Sequence, residues 1–147
     1  MGYVKVFVIH QRLDKTTAYA TNEQKTTETI MMEVGQERQV RYVDTVQCTN
    51  VEEAYQEMQE TKRQWDAEDG VQGYHIIQSF KPGEVTPEQV HKIGMEFAQK
   101  ICGGRFEAVV GTHLDQEHLH NHIVVNSVSF TDGKRFRCNR ATFYQAL

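Results

Sequence analysis

The sequence has few prolines, few cysteines and no long apolar run. With 2 prolines, 10 glycines and 39% apolar residues in 147 positions, it lacks the bias of a disordered or fibrous chain, and one domain of ordinary size is expected. Cys48, Cys102 and Cys138 are widely spaced without a CxxC pair, which predicts free thiols in a reducing compartment. No run approaches the ~18 apolar residues of a membrane span, and the short apolar N-terminus is unlike a signal peptide. We therefore expect a cytoplasmic protein without membrane insertion.

The chain also lacks the basic excess that most nucleic-acid binders carry, since its net charge is −4. The acidic residues concentrate in one segment, residues 51–70, which holds seven carboxylates against Lys62 and Arg63. That segment has a charge of −5, which leaves +1 for the remainder. The charge distribution therefore permits a nucleic-acid partner but does not indicate one.

Apolar periodicity predicts an α+β fold with a mainly antiparallel sheet and helices packed on one face of it. Residues 23–47 are rich in Thr and Gln and are expected to form exposed loop with one or two strands. A helix of about five turns is expected to begin at Asn50 and close at Gly70. Strands are predicted at residues 3–9 (buried), 73–80, 105–112 and 119–130, and a hairpin turn at 131–134 leads into a return strand at 135–137. Further helices are predicted at 13–19 and 86–101, and a last helix after Asn139.

The stretch GTHLDQEHLHNHIVVNSV, residues 111–128, holds four of the seven histidines and then becomes apolar. On a strand, residues two apart share a face, so His118, His120 and His122 project together while Asn121, Ile123 and Val125 face a core. Neutral imidazole is the commonest side-chain metal ligand. The pattern favours a metal site formed by His113, His120 and His122, with positions open for water or phosphate. A purely structural zinc site is the alternative, although no cysteine lies within this stretch.

Three further blocks accompany the histidines: LDKTTAYATNEQKT at residues 13–26, YHIIQSFKPGEVTPEQVHKIG at 74–94, and FTDGKRFR at 130–137. Together with HLDQEHLHNHIVVNSV they resemble conjugative and mobilization relaxases of the MobA/VirD2-like type. These are DNA nickases of the His-hydrophobe-His (HUH) endonuclease superfamily. The resemblance covers most of residues 3–147, is thin over 27–70, and implies a ferredoxin-like palm.

The resemblance implies a role for each matching residue. Tyr19 would be the nucleophile, and Asp115 would polarise a metal ligand or accept the tyrosine proton. His113, His120 and His122 would hold a divalent ion, Mg²⁺ or Mn²⁺, with Zn²⁺ possible in the purified protein. His118 would be a neighbour that touches DNA, or else a further ligand, while His10, His75 and His91 receive no function. DNA contacts are implied for four residues: Ser79, Lys25, Arg135 and Arg137.

The implied activity is nicking of single-stranded DNA at a plasmid or transposon origin of transfer, through a 5′-phosphotyrosyl intermediate that can be religated. Implied partners are the origin strand, accessory mobilization proteins and a coupling protein in a bacterial cytoplasm. We expect residues 1–147 to form a single nuclease domain, truncated at its C-terminus. One alternative is a rolling-circle replication initiator or an HUH transposase, which place the tyrosine after the histidines. Another is a non-catalytic, metal-stabilised DNA-binding module.

Overall fold

The α+β prediction is confirmed by a computed structural model, which describes residues 3–83, 85–115 and 117–137. Five antiparallel strands form one sheet in the order β1-β5-β7-β6-β4, and β2 pairs with β3 in a separate two-stranded ribbon. The strands are β1 Val4–Ile9, β2 Thr27–Met31, β3 Glu37–Arg41, β4 Val43–Val46, β5 Gly73–Ser79, β6 Ala108–His113 and β7 His120–Asn126. The helices are α1 Leu13–Ala20, α2 Glu23–Thr26, α3 Val51–Gln64 and α4 Pro87–Cys102. In the part of the chain so described, no helix has the length and apolar character needed to cross a bilayer.

Helices cover both faces of the sheet, so the expectation of a single covered face is wrong. Ile123 and Val125 of β7 pack under α4 with Phe97 and Ile101. Val124, between them, faces the opposite way into a cluster with residues of α1 and α3. Because the centre of β7 is apolar on both faces, each face requires its own cover.

The first strand is an edge strand and is only partly buried, in contrast to the prediction of a buried strand. Val4 and Val6 pack against the core under α4, whereas Lys5 and Phe7 alternate with them and are exposed. Strand β1 pairs only with β5 among the described strands, so its outer edge has no neighbour. The apolar run YVKVFVI therefore contains one inward and one outward face.

Helix α3 has 14 residues and ends at Gln64, one turn earlier than the sequence predicted. The predicted cap is present, because the Asn50 side chain accepts a hydrogen bond from the Glu53 amide. The helix closes in a Schellman-type arrangement in which the Ala67 amide donates to Lys62 O (2.8 Å) and Asp66 adopts a left-handed φ of 55°. Asp66, rather than the predicted Gly70, therefore stops the helix.

The later elements largely follow the predictions. Helix α4 begins with a full capping box between Thr86 and Gln89 and ends at Gly103. After β7, a tight turn is present at 129–134, but the predicted return strand is reduced to one bridge between Val128 and Arg135. The predicted helix after Asn139 lies outside the described residues.

Helix α1 approaches the sheet closely because β6 has a glycine beneath it. A Cβ atom on Gly111 would overlap the carbonyl oxygen of Ala20 and lie 2.9 Å from its carbonyl carbon. Ala20 and Leu13 are buried in the core cluster of this face. Gly111 therefore fixes the height of the last turn of α1, which carries Tyr19, above β6.

Candidate active site

Helix α1 and strands β6 and β7 bring a tyrosine and three histidines to one end of the sheet. Strands β6 and β7 pair so that His113 lies opposite His120. The Tyr19 ring, at the end of α1, stands edge-on to His113 at 4.9 Å and to His122 at 5.3 Å between ring centroids. The predicted cluster of Tyr19 with His113, His120 and His122 is therefore present in the fold.

The histidine rings are held by hydrogen bonds from outside the predicted motif. His122 Nδ1 lies 2.8 Å from Nε2 of His75 on β5, and His113 Nε2 lies 3.1 Å from the carbonyl oxygen of Ala20. The sequence reading gave His75 no function. The sequence could have indicated His75, because it lies on the same face of β5 as Ser79. Only the pairing of β5 with β7, however, shows that it meets His122.

Burial keeps these imidazoles neutral. It lowers the pKa of His122 to about 2 and the pKa of His75 to about 4, and neighbouring histidines add to both shifts. The pKa values of His113 and His120 are also lowered, chiefly by burial. Neutral imidazole is the form that binds a metal ion, so the donor chemistry fits a divalent cation.

The present ring orientations differ from those of a loaded metal site. His113 and His122 are stacked at 3.9 Å with an interplanar angle of 28°, and a nitrogen lone pair lies in the plane of its own ring. Two nearly parallel stacked rings do not direct lone pairs at one point. Within the described ranges, no three His, Cys, Asp or Glu side chains converge as a metal site requires. Metal binding by His113, His120 and His122 remains a prediction, and it requires one ring to turn.

A lysine and an aspartate form an ion pair beside Tyr19. Lys25 Nζ donates to Asp115 Oδ2 at 2.8 Å and lies 5.5 Å from the centre of the Tyr19 ring. This hydrogen bond lowers the pKa of Asp115 and raises that of Lys25. Both groups are therefore charged at neutral pH.

These side chains line an open cleft. Tyr19 is 44% exposed there, and Ser79, which lies opposite His120 in the β5–β7 pairing, is buried at its floor. The cleft continues along β1. Its lining consists of Tyr3, Lys5, Phe7, Tyr19, Ile77, Ser79, His113, Asp115, His120 and His122.

Three residues with proposed DNA roles lie elsewhere. The Arg135 guanidinium donates to the carbonyl oxygens of Asp69 (2.7 Å) and Val71 (2.9 Å). It lines a separate hollow with Arg137. His118 Nδ1 lies 3.3 Å from Phe80 O, and its ring is 6.5 Å from that of His120. The structure thus places Lys25 beside Tyr19 and Ser79 in the same cleft. Arg135 and Arg137 lie apart from the cleft, and His118 adjoins His120 without lining it.

A chain of polar contacts, buried at Asn121 and Thr112, supports the histidine strands from the other face. Asn121, which alternates with His120 and His122, donates to Gln78 Oε1 and accepts a hydrogen bond from Thr112 at 2.6 Å. Thr112 also contacts His91 Nδ1, whose ring reaches Asp44. These bonds tie α4, β4, β5, β6 and β7 together and thereby fix the strand positions from which the histidines project.

Comparison with known proteins places this cleft in a family. Residues 19–147 match the family model described as "Relaxase: MobA/VirD2-like, nuclease domain". The curated "Protein rlx" of Staphylococcus aureus is 45% identical over 91 residues, 62% of this chain and 29% of that protein. The "Group II intron-interrupted relaxase LtrB" of Lactococcus lactis subsp. cremoris is 49% identical over 67 residues, 45% of this chain and 12% of that protein. The chain thus spans less than a third of the length of these relatives.

A solved structure described as "Molecular Basis of Vancomycin Resistance Transfer in Staphylococcus aureus" shares the fold. Its TM-score is 0.57 at 14% identity, over 95% of this chain and 77% of that chain. The family match begins at Tyr19 and includes every histidine of the cluster around it. The chain therefore belongs to the MobA/VirD2-like relaxases, and residues 19–147 correspond to their nuclease domain.

Proposed function

We propose that this relaxase domain nicks single-stranded DNA at a plasmid or transposon origin of transfer, with Tyr19 as the nucleophile. The observation that carries the proposal is the position of Tyr19, an exposed phenol packed edge-on against His113 and His122 in an open cleft. Tyr19 is 44% exposed, so a phosphodiester that enters the cleft could reach it beside the histidines.

In the proposed step, the Tyr19 oxygen attacks the phosphorus of the scissile phosphodiester. A tyrosyl O–P bond forms and the P–O3′ bond breaks, so the protein retains the 5′-phosphate and the departing O3′ takes up a proton as a free 3′-hydroxyl. Attack by that hydroxyl on the phosphotyrosine reverses both changes and reseals the strand. The bond energy is conserved in the covalent intermediate, so no outside energy source is needed.

The cation beside Tyr19 promotes this attack. The Lys25 ammonium lies 5.5 Å from the centre of the Tyr19 ring, where it would stabilise negative charge on the phosphate under attack. Asp115 holds that ammonium in place through its 2.8 Å hydrogen bond. Its lowered pKa makes it a weak proton acceptor, so we assign the phenol proton to the water of the open cleft and a positioning role to Asp115.

His113, His120 and His122 would hold a divalent ion, Mg²⁺ or Mn²⁺, and Zn²⁺ is compatible with the same neutral imidazoles. When bound, the ion neutralises charge on the non-bridging phosphate oxygens. Ser79 is proposed to contact the phosphate from the floor of the cleft. The full protein is expected to act in a bacterial cytoplasm with accessory mobilization proteins and a coupling protein.

An end-labelling assay tests this proposal. Single-stranded DNA carrying the origin of the encoding element is incubated with the protein and Mn²⁺ and then run on a denaturing gel. A 3′-end label should move with the protein as a covalent adduct, while a 5′-end label should appear in a shorter free fragment. Tyr19→Phe should abolish the adduct, and Tyr55→Phe, on α3, should retain it. An adduct that survives Tyr19→Phe would overturn the assignment, and strand binding without any adduct would favour the non-catalytic DNA-binding module.

A further inference from the structure

Three side chains form an exposed stripe along the outer face of β1 beside the Tyr19 cleft. Tyr3, Lys5 and Phe7 alternate with inward-facing Val4 and Val6 and line the same cleft as the catalytic tyrosine. Lys5 Nζ lies 5.5 Å from the centre of the Tyr3 ring. The stripe precedes residues 19–147, over which the family model matches, so the comparison assigns it no role.

The two aromatic rings contribute little to the packing of the core. Tyr3 is 59% exposed and Phe7 is 50% exposed. Phe7 makes a tilted contact with His75 at 6.2 Å, which places its ring next to the histidine that orients His122. Single exposed apolar residues are ordinary on a protein surface. Two exposed rings on either side of a lysine, at the mouth of a phosphodiester-cleaving site, are the combination that binds single strands.

We propose that the Tyr3–Lys5–Phe7 stripe is a stacking platform for unpaired bases of the strand on the β1 side of the scissile phosphate. The inference rests on the proposed function and deepens it. Aromatic faces accept any base, and the intervening Lys5 ammonium lies where the connecting phosphates would pass.

The spacing of the rings selects an extended strand. Residues Tyr3 and Phe7 are four apart, so their backbones are separated by about 13 Å along β1. In a duplex each base is stacked on its neighbours at a rise of ~3.4 Å, so its faces are covered and cannot stack on either ring. The platform therefore fits unpaired, stretched DNA and should discriminate against duplex.

Binding of a fluorescein-labelled 20-nucleotide oligothymidine, followed by fluorescence anisotropy, tests the platform. All variants are made in the Tyr19→Phe background, which removes covalent capture. Tyr3→Ala and Phe7→Ala should each weaken binding by about fivefold or more. Lys5→Ala should reduce the magnitude of the negative slope of log affinity against log salt concentration by about 0.7, because one phosphate contact is lost. Val8→Ala, an exposed apolar residue on the opposite face of β1, is the matched control and should bind like the background.

Two substitutions separate stacking from simple apolar contact. Phe7→Trp should keep or tighten binding, whereas Phe7→Leu should weaken it as Phe7→Ala does. Thermal melts of each variant establish that it is folded. The platform is overturned if Tyr3→Ala and Phe7→Ala bind like Val8→Ala, or if the Tyr19→Phe protein does not bind the oligothymidine at all. Adduct formation by Tyr19-containing protein is scored separately, so the nickase and the platform can fail independently.

Discussion

Gly111→Ala should move Tyr19, although Gly111 itself takes no part in the proposed chemistry. The added methyl group would overlap the carbonyl oxygen of Ala20, which is backbone and belongs to the last turn of α1. Non-bonded atoms pack at about 3.5 Å, so the end of α1 must retreat by more than about 1 Å. The same carbonyl oxygen is the partner of His113 Nε2, so the retreat also loosens a histidine.

The expected losses of stability and of cleavage rate follow from burial and geometry. Overpacking a well-packed core costs about 1–3 kcal/mol, and the upper end applies here because the obstructing atom is backbone. For a chain of this size, about 3 kcal/mol corresponds to a fall of about 6–12 °C in Tm. A misplacement of about 1 Å at a reacting group lowers the rate by about 100-fold, well beyond what the loss of folded protein would explain.

Thermal unfolding and adduct formation at a temperature where both proteins are folded measure these two effects. Val110→Ala is the matched control, because Val110 adjoins Gly111 but faces α4. It should lose about 2 kcal/mol of stability through the missing methyl groups and the cavity, yet retain its rate of adduct formation. If Gly111→Ala had wild-type Tm and wild-type adduct formation, the contact between α1 and β6 would not be what positions Tyr19.

Three further predictions concern other polar groups. Burial lowers the pKa of Lys62 from 10.5 to about 8, so folding disfavours its charged form. As pH rises from below 8 to above 10.5, the free energy of unfolding of wild type should therefore increase by about 3 kcal/mol relative to that of Lys62→Met. Urea unfolding at several pH values measures this difference, and the same pH dependence in both proteins would contradict the prediction. His75→Ala should weaken Mn²⁺ binding by about 10- to 100-fold in calorimetry, since His75 orients His122, and unchanged affinity would argue against that role. Lys25→Ala should leave the Tm almost unchanged, because its ion pair with Asp115 is partly exposed, but should reduce the magnitude of the slope of log affinity against log salt for oligothymidine binding by about 0.7.

Local features of the fold were accessible from the sequence because they depend on neighbouring residues. The capping box of Thr86 and Gln89 is such a feature, as is the common face of His120 and His122, which follows from strand alternation. The predicted end of α3 at Gly70 was wrong, and the reason is again local. Asp66 tolerates a left-handed backbone through its short polar side chain, so the helix could stop before the more obvious Gly70.

Features that depend on the order of strands were not accessible. The exposure of β1 follows from its place at the edge of the sheet, and the role of His75 follows from the pairing of β5 with β7. The binding of Arg135 by the carbonyl oxygens of the loop at 67–71 is likewise a contact between distant parts of the chain. Sequence pattern identifies which residues carry chemistry, whereas register and strand order decide which of them meet.

The ribbon formed by β2 and β3 has a consequence for how this fold can vary. Its ladder bonds, from Thr27 opposite Arg41 to Met31 opposite Glu37, are all internal to the ribbon. It connects to the main body at its base, where the Tyr42 amide donates to Thr26 O and Arg41 donates to Thr21 O. Lengthening, shortening or exchanging its tip would leave every ladder bond of the five-stranded sheet in place. The nuclease architecture can therefore tolerate evolutionary change in this arm while the geometry around Tyr19 is preserved.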